Sequence, residues 1–217
     1  MKHLFTSLFL TCWVSLFSFA QTIQGDGGLP KTYKETLITK DIDTWIFEQP
    51  DISALQAEDA INDLKGDAPW RFGYNNYTEL NLNNSGTWIE TVNGSKIWRV
   101  VVSCEGALTV NLSFSDTEIP EGNELYVYNP EKTFILGSFN QNHIYKGELG
   151  TELVPGNTVV VEYFIPAGNP YGAVNINTIT HGYRTASEFT EKAFGSSGSC
   201  NMNVNCPDGA TWVNERN

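Results

Sequence analysis

Histidine is scarce in this 217-residue sequence, which has only three. His3 lies in an N-terminal apolar stretch, so only His143 and His181 remain as candidates for the general base of a hydrolase triad. Both lie in loop-like surroundings, and an ordinary loop residue is the favoured interpretation of each. The run Gly-Ser-Ser-Gly-Ser at 195–199 lacks the flanking aspartate and second glycine of a serine-protease nucleophile loop. The sequence therefore offers no catalytic residue that can be assigned.

Basic side chains are also few, with 13 Lys and Arg against 25 Asp and Glu and a net charge of −12. This balance argues against nucleic acid and anionic membranes as partners. The glycine-rich stretch 25–30 has neither the lysine of a phosphate-binding loop nor the alternating acidic ligands of a calcium loop. We therefore predict no cofactor and no metal.

The one long apolar run lies at the N-terminus. A basic start precedes residues 4–19, and small residues up to Ala20 complete the pattern of a secretory signal peptide. Hydroxyl side chains interrupt this run, which is shorter than the roughly 20 apolar residues of a membrane anchor. We predict cleavage between Ala20 and Gln21 and a secreted or cell-surface protein with no membrane attachment.

Only four cysteines occur, and Cys12 would leave with the signal peptide. Cys104 alternates with apolar residues, so we expect a buried, unreactive thiol. Cys200 and Cys206 have five residues between them, whereas zinc sites use two to four, and no second ligand pair follows. A disulfide between these two cysteines would require a turn, and partners outside this chain are the favoured alternative.

One short amphipathic helix is predicted at residues 51–65. Ser53 and Gln56 fit a capping box, and Gly66 fits a stop. The apolar residues near helical spacing are Ile52, Leu55, Ala60, Ile61 and Leu64. The carboxylates of this segment are those of Glu58, Asp59 and Asp63. We interpret them as a solvated face rather than a catalytic cluster.

Beyond residue 87 apolar and polar residues alternate between regularly spaced turns, a pattern typical of an all-β sandwich or barrel. The predicted strands are 87–92, 96–104, 107–114, 124–128, 134–139, 158–164 and 173–180. Alternation predicts two facing inward sets: Trp98, Val100, Val102 and Cys104, then Leu108, Val110, Leu112 and Phe114. We expect a mainly β fold, a jelly-roll-like antiparallel β-sandwich preceded by a short helical segment.

Aromatic side chains are plentiful, and exposed aromatics on a sandwich can bind sugars. The candidates are Trp88, Tyr126, Tyr128, Tyr145 and Tyr171. A sandwich of this size also needs several aromatics for packing, which is the favoured interpretation.

Residues 197–209 read Ser-Gly-Ser-Cys-Asn-Met-Asn-Val-Asn-Cys-Pro-Asp-Gly. This segment resembles the mature N-terminus of lysyl endopeptidases, secreted trypsin-like serine proteases that begin Ser-Gly-Ser-Cys-Asn and continue Val-x-Cys-Pro-x-Gly. The region before it resembles the propeptides of such proteases in secreted bacterial proteins. That upstream similarity rests on residues 86–88, 97–99, 106–108, 114, 119–122 and 125–128.

The resemblance implies a parent enzyme that hydrolyses peptide bonds on the carboxyl side of lysine, with a Ser-His-Asp triad and an oxyanion hole. In the family the triad histidine lies in a His-Cys pair well downstream of the Cys-Pro motif. No triad residue maps onto this chain, so we expect it to be a truncated and catalytically inert part. Family disulfides join the cysteines that match Cys200 and Cys206 to later cysteines in the domain.

The same resemblance places the start of the mature enzyme near Gly195. A lysine before the cut would suit self-processing, but Phe194 occupies that position and Lys192 lies two residues earlier. The implied partners are the chain's own downstream protease domain and, through the parent enzyme, protein or peptide substrates.

The expected organisation has five parts. They are a signal peptide (1–20), a prosegment with one short helix (21–86), a β-sandwich propeptide domain (87–183), a linker (184–194) and the truncated start of a trypsin-like β-barrel domain (195–217). Three functions are compatible with it, ranked in this order: the prosegment of a secreted serine endopeptidase, a carbohydrate-binding or adhesion module without enzymatic activity, and a purely structural secreted module.

Overall fold

The computed structural model describes residues 24–33, 42–65 and 69–185. One α-helix, α1 (Ile52–Lys65), and a short 3-10 turn (Gln141–His143) accompany the strands. The strands are β1 (Thr44–Phe47), β2 (Gly73–Asn81), β3 (Thr87–Glu90), β4 (Lys96–Cys104), β5 (Thr109–Phe114), β6 (Glu124–Tyr128), β7 (Ile135–Phe139), β8 (Leu149–Gly150), β9 (Val154–Pro155), β10 (Thr158–Ile165) and β11 (Asn175–Gly182). The fold is mainly β, as expected.

Six strands form sheet A, in the order β1-β4-β10-β6-β7 with β3 also paired to β4. β1 runs parallel to the second half of β4, and β3 runs antiparallel to its first half. Two short strands therefore share one edge of β4. The remaining pairs of sheet A are antiparallel.

Five strands form sheet B, in the order β2-β11-β5-β8 with β9 also paired to β5. All of its pairs are antiparallel. The register shifts between Ile176 and Thr178 against both neighbours of β11, with the extra residue in β11 in its pairing with β5 and in β2 in the pairing of β2 with β11. Ile176 and Ile179, three positions apart, therefore both lie in the core.

The two sheets pack face to face over one hydrophobic core, which makes the domain a β-sandwich. The predicted inward residues found in this core are Trp98, Val100, Val102, Cys104, Val110, Leu112 and Phe114. The prediction is wrong for Leu108, which is 48% exposed. β5 begins only at Thr109, so Leu108 lies in the turn before the strand, where side chains do not yet alternate between the two faces of the sheet.

The outer face of sheet A is covered by residues 24–33. Backbone hydrogen bonds tie this segment to β7, from Asp26 N to Ser138 O (3.0 Å) and from Gly137 N to Gln24 O (2.7 Å). A second, smaller cluster of buried residues lies on this side: Ile42, Val101, Tyr126, Tyr128 and Val160. Because both faces of sheet A are covered, β4 and β10 are buried along almost their whole length.

Helix α1 has the expected bounds but a different cap. The Asp51 carboxylate accepts a hydrogen bond from Ala54 N (3.0 Å), so Asp51 is the N-cap. The predicted capping box of Ser53 and Gln56 is wrong, because the helix begins at Ile52 and both residues already lie inside it.

The seven predicted strands are confirmed, five of them with an end displaced by one to two residues. Four further strands, β1, β2, β8 and β9, were not expected. β1, β8 and β9 are very short, and β2 carries asparagines where an apolar alternation would stand. The two sheets therefore include residues that precede the expected boundary at residue 87. Among the described residues, no helix is long and apolar enough to cross a membrane.

Candidate functional site

The residues that sequence reasoning assigned to processing and disulfides lie outside the described residues. These are Ala20 and Gln21 at the signal cleavage site, Lys192, Phe194 and Gly195 at the junction, and Cys200 and Cys206. The expected start of a protease barrel at 195–217 lies outside them as well.

The two histidines are held in different ways, and neither is part of a triad within residues 24–33, 42–65 and 69–185. His143 Nδ1 lies 3.2 Å from the Asn140 amide oxygen, and its Nε2 lies 3.5 Å from the Asp26 carboxylate. His181 is fully buried, and neither of its ring nitrogens has a hydrogen-bond partner among the described residues. Burial lowers the pKa of His181, which keeps its imidazole neutral.

Cys104 is the buried core thiol that the sequence predicts. It is fully buried in the main core and forms no disulfide. Burial raises the pKa of its thiol to about 11, so the reactive thiolate is disfavoured at neutral pH.

A groove of about 470 Å³ opens where one end of sheet A meets one end of sheet B. Its lining comes from the turn after β2, from β3, from the first residue of β4 and from the loop into β11. The lining residues are Asn81, Leu82, Asn83, Trp88, Ile89, Glu90, Lys96, Tyr171, Gly172, Ala173, Val174 and Asn175. The groove thus combines an apolar floor with amide and charged side chains, as small-molecule sites do.

Two exposed aromatic rings, Trp88 (36% exposed) and Tyr171 (45% exposed), meet in this groove. Their centroids are 5.4 Å apart and their planes cross at 63°, an edge-to-face arrangement. The Trp88 indole nitrogen donates to the Leu82 carbonyl (3.2 Å), which fixes the ring. The Lys96 ammonium lies 4.8 Å from the Tyr171 ring centre, and its hydrogen bond to the Tyr171 hydroxyl raises the pKa of Lys96.

The other aromatic candidates for sugar binding lie elsewhere. Tyr126 and Tyr128 are buried beneath residues 24–33, so the favoured interpretation of packing is confirmed for these two and they are not available to bind sugars. Tyr145 is 73% exposed and lies outside the groove, with the Lys146 ammonium 5.2 Å from its ring centre. Of the five candidates, the fold brings only Trp88 and Tyr171 together.

A buried carboxylate, that of Glu162, lies beneath the N-terminal segment. It is fully buried and accepts hydrogen bonds from the Tyr128 hydroxyl (3.0 Å), the Thr32 backbone (3.3 Å) and the Thr32 hydroxyl. Arg99 lies directly opposite Glu162 in the ladder between β4 and β10. Burial and the adjacent Glu162 charge raise the pKa of Tyr128, which stays protonated.

A second buried ionic cluster joins α1 to the end of β11. The Asp59 carboxylate contacts Arg71 Nε (2.8 Å) and Arg184 Nη1 (3.5 Å) and accepts a hydrogen bond from the Tyr183 hydroxyl (2.6 Å). Burial and the bond to Asp59 raise the pKa of Tyr183 to about 12. Arg184 also contacts Asp63 at 2.8 Å.

The interpretation of these helix carboxylates as a solvated face is wrong for Asp59 and Asp63. Asp59 is buried and the Asp63 side chain is only 10% exposed, because two arginines from outside the helix neutralise them. Glu58 remains largely exposed, as expected. The sequence contains one indication of this pairing: Arg71 follows the predicted helix, and Arg184 follows the last predicted strand.

No group of three or more His, Cys, Asp or Glu side chains within residues 24–33, 42–65 and 69–185 is placed to hold a metal ion. No family model matches the chain. No solved structure matches it either.

Proposed function

We propose that this chain is the N-terminal part of a secreted serine endopeptidase resembling lysyl endopeptidase, with the sandwich as its prosegment. The observation that carries this proposal is the segment 197–209, whose Ser-Gly-Ser-Cys-Asn and Cys-Pro-Asp-Gly motifs resemble a mature protease N-terminus. The parent enzyme would hydrolyse protein or peptide substrates on the carboxyl side of lysine. Residues 1–20 would direct its export.

The architecture of the described residues supports this assignment in two ways. The sandwich has its own core, and its last described strand ends at Gly182, twelve positions before Phe194 at the proposed junction. Neither histidine of that unit is bonded to a nucleophile within the described ranges. The triad would therefore belong to the domain that follows, and the sandwich would act on that domain as its partner.

The coding sequence beyond codon 217 tests the assignment most directly. We expect a His-Cys pair followed further on by Gly-Asp-Ser-Gly-Gly, with cysteines to pair with Cys200 and Cys206. A reading frame without them would contradict the proposal. N-terminal sequencing of the secreted parent protein tests the junction, and a first residue upstream of Arg184 would overturn it.

A refolding experiment tests the prosegment role itself. The denatured downstream domain is diluted into buffer with or without residues 21–194, and an unrelated β-sandwich at the same concentration serves as the control. We expect residues 21–194 alone to raise the recovered activity or to inhibit the folded enzyme. No effect on either quantity would contradict the prosegment role.

The aromatic groove favours a second candidate function, the binding of a neutral oligosaccharide. Trp88 and Tyr171 present ring surface, and Asn81, Asn83 and Asn175 add amides beside it. On a glycan array we expect binding that is lost in Trp88→Ala and Tyr171→Ala. Tyr145→Ala, which removes an exposed aromatic outside the groove, is the matched control. An array without any positive glycan, or equal loss in the control, would exclude this function.

A further inference from the structure

Residues 166–172 follow β10 and carry Tyr171 into the aromatic groove. We call these residues the rim loop. The Tyr171 side chain is 45% exposed, but its backbone is fixed from below. Its carbonyl oxygen accepts a hydrogen bond from the hydroxyl of Tyr163, a fully buried residue of β10 (2.8 Å). One wall of the groove is therefore bonded directly to the core.

A second buried side chain, that of Asn123, completes this connection. It is 1% exposed and lies directly before β6. Its amide nitrogen donates to the Tyr163 hydroxyl (2.8 Å) and to the Pro170 carbonyl (2.9 Å), and its amide oxygen accepts from Asn169 Nδ2 (3.1 Å). Every polar side-chain atom of Asn123 and Tyr163 thus has a partner, as buried polar groups require.

The hydrogen bond from Tyr163 to the rim loop has a defined direction. Burial raises the pKa of Tyr163 to about 12, so its hydroxyl keeps its proton at neutral pH. The hydroxyl oxygen accepts from the Asn123 amide, and the Tyr171 carbonyl can only accept. The hydroxyl proton therefore points at Tyr171.

The chain is also fixed after Tyr171. Gly172 has a φ of +68°, and a Cβ at this position would clash with the Glu118 carbonyl oxygen. Ala173 and Glu118 then exchange two backbone hydrogen bonds of 2.8 Å each. The backbone is therefore held on both sides of Tyr171.

We propose that Asn123 and Tyr163 are positioning residues of the aromatic groove, holding the rim loop so that the Tyr171 ring lies against Trp88 before a ligand binds. Neither of the two lines the groove. A site already in its binding conformation loses less conformational entropy on binding. The competing explanation is that the contacts of the Tyr171 side chain with Trp88 and Lys96 are sufficient. Only the effect on affinity rests on the second candidate function, oligosaccharide binding.

Fluorine NMR of the whole chain labelled with fluorotryptophan tests the positioning without a ligand. The Trp88 resonance is assigned by its loss in Trp88→Phe, and Tyr171→Ala gives its position when the neighbouring ring is absent. In Tyr163→Phe we expect the Trp88 resonance to move toward that position, because the Tyr171 carbonyl and the Asn123 amide lose the hydroxyl between them. The Trp70 resonance should not move and so reports that the fold is retained, because Trp70 precedes β2 at the end of that strand away from the groove.

Tyr128→Phe is the matched control. Tyr128 is as buried as Tyr163 and its hydroxyl is also hydrogen-bonded, but on the outer side of sheet A. This variant should leave the Trp88 resonance in place. Asn123→Ala removes both bonds that the Asn123 amide donates and should displace the resonance as Tyr163→Phe does. An unmoved Trp88 resonance in either variant, or an equal displacement in the control, would overturn the proposal.

Titration with an oligosaccharide that is positive on the glycan array measures the consequence for binding. We expect the Kd to rise about tenfold in Tyr163→Phe and by less than about twofold in Tyr128→Phe. An unchanged Kd in Tyr163→Phe would contradict the positioning role. A wild-type chain that binds no glycan would exclude the second candidate function, and the fluorine spectra would still decide whether Tyr163 and Asn123 hold Tyr171.

Discussion

At the scale of single residues, two buried carboxylates fix peripheral segments to the sandwich. Glu162 contacts Thr32 of the N-terminal segment, and Asp59 connects α1 to Arg71 and Arg184. A charge removed from water is tolerated only when it is paired and hydrogen-bonded. Each carboxylate therefore controls the position of a whole segment.

Replacing Asp59 tests how strongly α1 depends on its ionic cluster. Asp59→Ala removes one of the two carboxylates beside the nearly buried Arg184, together with the acceptor of the Tyr183 hydroxyl. We expect the free energy of unfolding, measured by urea titration, to fall by about 3 kcal/mol. Glu58→Gln is the matched control because Glu58 contacts Arg71 from an exposed position. Its effect should stay below about 1 kcal/mol. Equal losses in the two variants would show that burial of Asp59 is irrelevant.

His181 predicts a specific pH dependence of stability. Burial lowers its folded-state pKa below the unfolded value of about 6.5, so the unfolded chain takes up a proton first as the pH falls. The contribution of His181 to stability is present above about pH 6.5. It is lost as the pH falls from there toward the folded-state pKa, by at most about 1.4 kcal/mol per pH unit.

The variant His181→Leu isolates this effect. Leucine removes two buried ring nitrogens that lack partners within residues 24–33, 42–65 and 69–185, so stability at pH 7.5 should be equal or higher. Urea titrations at several pH values should show a shallower decline below about pH 6.5 than in the wild type. Parallel pH profiles of the two proteins would contradict the assignment to His181.

At the scale of elements, the N-terminal segment tests the role of Glu162. Glu162→Gln removes the negative charge and replaces one acceptor oxygen with an amide N–H₂, so the hydrogen bonds from Thr32 and Tyr128 lose their charge assistance and the hydroxyls that donated to that oxygen must turn to accept instead. We expect residues 24–33 to loosen, with a loss of about 2 kcal/mol in stability. Trypsin should then cleave after Lys31, because the Lys31–Thr32 bond is freed from its contact with Glu162.

The control for this experiment is Thr32→Ser, which retains both the backbone N–H and the hydroxyl that reach Glu162. Its cleavage after Lys31 should match that of the wild type. Cleavage at the same rate in Glu162→Gln and in the wild type would show that the segment is held by its backbone pairing with β7 instead.

Helix α1 shows how an element can be predicted correctly and oriented wrongly. Its bounds follow from apolar periodicity and from Gly66, yet the periodicity implies that Ile61 and Leu64 face inward. The structure turns them outward because the charge pairing of Asp59 and Asp63 with two arginines decides the docking face. Periodicity describes one helix, whereas the pairing depends on residues outside it, Arg71 at 12 positions from Asp59 and Arg184 at 121 positions from Asp63.

At the scale of the whole molecule, the sandwich class and seven of the eleven described strands could be predicted from alternation, whereas β2, which is as long as β4, could not. β4 and β6 occur at the predicted positions because each is a mainly apolar run with clear turn residues at both ends. The short edge strands β8 and β9 could not be predicted, because their pairing with β5 is set by the tertiary fold. The groove could not be predicted from the sequence either, because Lys96 and Tyr171 are 75 positions apart and meet only when both sheets are in place.

Two contacts join early parts of the described chain to late parts of it. Thr32 meets Glu162 across 130 positions, and Asp63 meets Arg184 across 121. Contacts this distant in sequence raise the contact order of the domain, which slows folding. During synthesis from the N-terminus, neither contact can form until the later of its two residues, Glu162 or Arg184, has been added to the chain. The N-terminal segment can therefore be held only after Glu162 has been synthesised, and α1 only after Arg184, so the two outer segments attach in a fixed order.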